Sequence, residues 1–200
     1  MSLRHGARLA ALLAASAVLL PAAAHAEKVV THDPVGDVDV VGWLADEDAE
    51  LPPTPDPAPA DIVRTAAAHG DKRLSIEVHF RDLADTRTLS TRIHVRTPAG
   101  AFRIEVDKEE GRRAQTTLSH RWENVECRAL RARLDAGADV VAVSVPTACL
   151  SSPPWVRLGV TASAPLPSTD PAVLASTVDD GHRDSFRFRS VGTGPKIHRG

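Results

Sequence analysis

Tyrosine is absent from this chain of 200 residues, and three Trp and four Phe bring aromatic residues to only 4%. Sugar-binding surfaces usually grip their ligand between aromatic rings, so the material for one is thin here. Methionine occurs only as Met1, so a haem would have to rely on histidine in an apolar pocket. His79 and His94 instead fall on the polar faces of strand patterns and read as solvated sheet positions. Cysteine is limited to Cys127 and Cys149, neither with a Cys or His neighbour at ligand spacing, which argues against a thiolate metal centre. HExxH and GxSxG are both missing, and no Ser, His and Asp set is placed by a recognisable motif. Glu109-Glu110 is a solvated pair at a turn before Gly111, since adjacent side chains point apart. The chain is therefore read as non-enzymatic.

Two further absences concern charge and hydropathy. The formal charge is −2, and removal of residues 1–26 leaves 22 basic against 26 acidic residues, a charge of −4. That balance is too mild to imply nucleic acid or an anionic membrane as partner. No apolar stretch after residue 26 approaches the roughly 20 residues that a membrane-spanning helix needs.

What the N-terminus does have is an export signal over residues 1–26. Arg4, His5 and Arg8 form a basic start, Leu9 to Leu20 an apolar run, and Ala24-His25-Ala26 a small-residue cleavage site. The mature chain then starts at Glu27, and no Cys follows the apolar run to carry a lipid. About 170 remaining residues suffice for one domain, 27–200, with a proper core. Two cysteines in an exported chain imply a structural disulfide, Cys127 to Cys149. Arginine greatly outnumbers lysine and alanine is abundant. GC-rich coding accounts for that bias better than a functional arginine patch does.

Beyond the signal the dominant period is two. Leu74, Ile76, Val78 and Phe80 alternate with polar residues, as do Leu89, Thr91, Ile93 and Val95, then Phe102, Ile104 and Val106. Gly70-Asp71, residues 82–85 and Pro98-Ala99-Gly100 supply turns between them. A strand of weaker pattern is expected over Arg112 to Ser119, and further strands over Cys127 to Leu134, Val140 to Val145, Val156 to Val160 and around Phe186 and Phe188. Helix is limited to a turn or two near Pro171 to Ser176. Five prolines make 45–60 an extended acidic surface loop, and Ala164 to Pro171 a second flexible connection. Short antiparallel strands with one polar face imply an all-β, two-sheet antiparallel sandwich, jelly-roll-like, with one disulfide.

Asp33-Pro34-Val35-Gly36-Asp37 is the most informative segment. Pro34 fixes one turn dihedral, Gly36 reaches positive φ without strain, and Asp37 returns a second carboxylate toward Asp33. Calcium wants six to eight oxygens, and Asp33, Asp37 and Asp61 offer three carboxylates, with Asp39 in reserve. The competing reading has Asp33 closing a turn and Asp61 capping a strand. Asp179-Asp180-Gly181 reads first as a hairpin turn, with a ligand pair as the second reading. Trp122 has two readings, a loop-borne stacking platform for a sugar or a core plug beside Cys127.

DPVGD at Asp33 to Asp37, DIV from Asp61, His69-Gly70 and RDL at Arg81 to Leu83 together resemble the N-terminal halves of DOMON-like and family 9 carbohydrate-binding-module-like sandwiches. The likeness is closer to exported actinobacterial proteins of unassigned role, which share a late P-x-x-C-L segment like Pro146 to Leu150. The resemblance implies two antiparallel sheets, a non-catalytic binding role and, in some relatives, structural calcium, carried here onto Asp33, Asp37 and Asp61. The functional expectation is a secreted sandwich that binds an extracellular glycan or protein. An exported enzyme of another class, or a passive envelope protein, are the alternatives. Intact mass of protein recovered from culture medium should begin at Glu27; recovery solely as the full-length, membrane-bound chain overturns the export reading.

Overall fold

The computed structural model describes residues 26–45, 49–83 and 88–200. Residues 1–25 of the expected export signal and part of the turn expected at 82–85 lie outside them. The strands run β1 Glu27–His32, β2 Asp39–Leu44, β3 Ile62–His69, β4 Arg73–Phe80, β5 Leu89–Thr97, β6 Gly100–Lys108 and β7 Gln115–His120. They continue as β8 Glu123–Asn124, β9 Arg131–Asp135, β10 Val140–Pro146, β11 Trp155–Leu166, β12 Val173–Asp180 and β13 Lys196–His198. One 3-10 turn, Thr147–Leu150, follows β10.

Two antiparallel sheets pack face to face. The first has the order β1-β3-β4-β10-β9, and the second β2-β12-β11-β5-β6-β7-β8, with β13 also paired to β11. Alternation decides which side of each strand is inward. In β4, Leu74, Ile76, Val78 and Phe80 are buried while Ser75 and Glu77 are exposed; β10 answers with Val141, Val143 and Val145. Ile93 and Val95 of β5, Ile104 and Val106 of β6, and Val156, Leu158 and Val160 of β11 close the core from the other sheet. Few aromatics take part, so aliphatic side chains fill most of the interior; Phe80 and Phe102 are its buried aromatic members.

Several local expectations change. Val173 opens β12, so the segment 171–176 is not helical, and β11 extends to Leu166 through part of the expected connection. Strand pairing on both flanks overrides the turn signals there. Phe186 and Phe188 lie outside any strand despite their alternation. Cys127 to Leu130 forms a turn, closed by the Leu130 amide on the Cys127 carbonyl at 3.0 Å, and β9 starts only at Arg131.

Cys127 and Cys149 are joined, with Cα atoms 5.9 Å apart. The bond ties the turn before β9 to the 3-10 turn after β10, and so fixes the edge of the first sheet. A disulfide fits an oxidising compartment, and among the described residues no helix is long and apolar enough to cross a membrane. The C-terminal strand bridges the sheets. Ile197 is buried against the core, and its carbonyl lies 3.2 Å from Nδ1 of His69 in β3. Replacing both cysteines by serine should cost about 3 kcal/mol by freeing the unfolded loop. The expected fall in melting temperature is about 2–4 °C per kcal/mol for a domain of this size; an unchanged melt sinks the stabilising role.

Candidate functional site

The segment Asp33 to Val38 carries the chain from β1 in one sheet to β2 in the other. Gly36, at φ 83°, lets it turn back. Its amide donates to both carboxylate oxygens of Asp61, at 3.2 and 3.0 Å, and the Asp33 amide donates to the Val63 carbonyl at 3.1 Å. Asp61 is 1% exposed, with Arg81 3.8 Å away. It holds the loop from beneath.

Carboxylate oxygens of Asp33, Asp37 and Asp179 converge, all within 4.8 Å of one another. Asp33 and Asp37 were expected together; Asp61 lies beside this group as its tether, and Asp179 takes the third position. Asp39, the reserve ligand, is engaged elsewhere, its Oδ2 accepting from the Phe186 amide at 2.6 Å. Asp179 and Asp180 do not form an exposed turn: they end β12 at 1% and 0% exposure. Pairing of β12 with β11 carries them inward, where the Ile62 amide donates to Asp179 Oδ2 at 2.7 Å. A DDG triplet after a strand looks like a turn, and only this pairing distinguishes the two.

Electrostatics follow from crowding. Burial pushes the Asp33 carboxyl up to about 8, helped by the charges of Asp179, Asp37, Asp180 and Asp61. Burial likewise raises Asp179 to about 7, against the opposing Ile62 hydrogen bond. Asp37, Asp61 and Asp180 are also raised, burial first in each case. Asp33 is only 8% exposed, yet among the described residues its Oδ2 has no hydrogen-bond partner, and neither oxygen of Asp37 has one. Unpartnered buried carboxylate oxygens are costly, and an all-oxygen set of this kind suits a hard cation such as calcium.

Trp122 lies on the surface. It is 84% exposed and does not plug the core beside Cys127. Arg121 and Trp122 form the two-residue turn between β7 and β8, with φ 51° and 72°. Such a turn needs positive φ at both positions and normally uses Asn and Gly. Large side chains there cost about 1–3 kcal/mol each. The turn overhangs a groove of about 540 Å³ on the outer face of the second sheet, lined also by Arg96, Arg103, Phe188 and Arg189. Alternation placed Arg96 and Arg103 on a polar face, but strand order alone brings them beside the β7–β8 turn.

In comparisons with known proteins, no family model, curated protein or solved structure matches the chain.

The raised carboxyls give a pH dependence with a definite sign for protein stripped of divalent cations. Unfolded aspartates ionise near 3.8, whereas folded Asp179 and Asp33 hold their protons to about 7 and about 8. The folded state therefore binds more protons through that window. Its stability is full below the unfolded value and falls as pH rises toward about 8. Melting of EDTA-treated protein should drop between about pH 5 and pH 8, and the double change Asp33→Asn with Asp179→Asn should flatten the slope. A melt that climbs over this window contradicts the buried cluster.

Proposed function

We propose that this chain is an exported, non-catalytic β-sandwich that binds an extracellular glycan or protein, and that calcium on Asp33, Asp37 and Asp179 locks its two sheets together. The observation that carries the binding reading is Trp122, presented 84% exposed on a turn whose backbone favours far smaller residues. Strain of this kind is retained where the side chain's position matters. The calcium reading rests on the unpartnered oxygens of Asp33 and Asp37 within reach of Asp179. Three carboxylates leave room in a shell of six to eight for water and backbone carbonyls.

Calcium here would join the end of β1, the entry to β2 and the end of β12, replacing mutual repulsion with attraction to one ion. At 100 times its dissociation constant a ligand of the folded state alone adds about 2.7 kcal/mol. EDTA-stripped protein should therefore melt several degrees higher in millimolar calcium, at about 2–4 °C per kcal/mol. Asp37→Asn should remove most of that gain, as should Asp179→Asn. A melt indifferent to calcium leaves only the hydrogen-bonded turn.

Binding is tested separately. Purified cell-envelope material should retain the protein, and Trp122→Ala should release it without lowering the melting temperature. Equal retention of the variant overturns this face as the binding surface.

A further inference from the structure

We propose that the groove beneath Trp122 is a site for an acidic polysaccharide, with Arg96, Arg121 and Arg189 on the anionic groups and the free face of Trp122 on a sugar ring. The proposal rests on the binding reading above and names the class of ligand.

Charge is the first ground. Among the described residues, four arginines line the groove and no acidic side chain does. Arg103 has a partner in Glu105 at 3.6 Å, which Arg92 shares at 3.2 Å. Among the described residues, Arg96, Arg121 and Arg189 form no ion pair. His94 adds no charge of its own. Burial lowers its pKa and the charges of Arg103, Arg92 and Arg96 lower it further, so it is neutral at physiological pH. Guanidinium groups present a planar fork that matches carboxylate or sulfate geometry.

Aromatic geometry is the second. The Arg103 guanidinium sits 4.3 Å from the Trp122 ring centroid and covers one face. At 84% exposure the opposite face is open. Phe188, 81% exposed, stands on the other wall and is braced edge-on by Phe186 at 5.1 Å. Two apolar rings among unpaired cations fit a chain that alternates flat C–H faces with negative groups. A neutral glycan would leave the arginines unused.

The wall is built, not loose. Residues 191–194 pass directly over β11 at Gly159, where an added Cβ would collide with the Gly192 carbonyl and stand 2.9 Å from Val191 Cγ1. The Gly194 amide donates to the Leu158 carbonyl at 2.9 Å, and the Gly192 amide to buried Asp180 at 2.7 Å. The groove volume of about 540 Å³ is within the range of ordinary small-ligand sites.

Calorimetric titration with defined oligosaccharides tests this: oligogalacturonate, a heparin-derived sulfated oligomer, and a neutral cello-oligomer of equal length. At least one acidic oligomer should bind, with affinity falling as salt rises, and the two acidic arms distinguish carboxylate from sulfate. Arg96→Gln and Arg189→Gln should each weaken binding about tenfold, the loss expected of one charge-assisted hydrogen bond. Trp122→Ala should weaken it comparably, while Arg128→Gln, outside the groove, should change nothing. Each variant is first shown to melt like the parent. Equal binding of the neutral oligomer, or preference for polyglutamate or single-stranded DNA, overturns the ligand class. If no oligomer binds while envelope retention still requires Trp122, the class falls and the binding reading stands. If retention is also absent, both fall.

Discussion

The Ile62 amide donates to Asp179 across the interval between the two sheets, at 2.7 Å and away from solvent. That bond anchors the end of β12 to the start of β3, and the chain crosses from β1 to β2 over the same place. A sandwich held only by apolar burial can slide, because burial is non-directional. A buried hydrogen bond to a carboxylate fixes position as well as distance. The crossing segment carries Asp33 and Asp37 to the same place, where their oxygens lie within 4.8 Å of those of Asp179. The crowding of Asp33, Asp37 and Asp179 is thus a consequence of how the sheets are joined. Their repulsion makes the joint sensitive to whatever neutralises it, whether protons or a cation.

The outer face of the second sheet follows from a different constraint. With alternation fixing Ile93, Val95, Phe102 and Ile104 inward, the intervening arginines must face out. Antiparallel register then sets His94 opposite Arg103 and Arg96 opposite Ala101. The small Ala101 side chain leaves space, and the β7–β8 turn overhangs it. Concavity arises where a short residue sits between long ones under a projecting hairpin.

Much of this was legible in the residues. Period-two runs such as Leu74 to Phe80 identify strands and their inward faces without ambiguity, and the cysteine pair follows from the even count. The DPVGD loop is legible too, since Pro34 and Gly36 have few other backbone uses in that order. Asp179 was not, because a DDG triplet has the same composition whether it ends a buried strand or caps an exposed hairpin. Pairing with β11 decides, and pairing is non-local. The same reason hides Phe186 and Phe188, whose alternation suggests a strand that finds no partner. Trp122 sits nearest to the boundary: sequence separation from Cys127 suggests packing, but the tight two-residue turn aims the ring outward instead.

Among the described residues, strand β11 pairs with three partners. One edge pairs with β5, and the other is divided between β13 at Trp155–Arg157 and β12 from Thr161 onward. The gap between them falls at Leu158 to Val160, where the amides of Gly194 and Gly181 reach in to the carbonyls of Leu158 and Val160. Backbone groups so enclosed exchange with solvent only when large parts of a protein open together. The loop that walls the groove is thereby fastened to β11 in the interior of the second sheet, so wall and floor rest on one foundation.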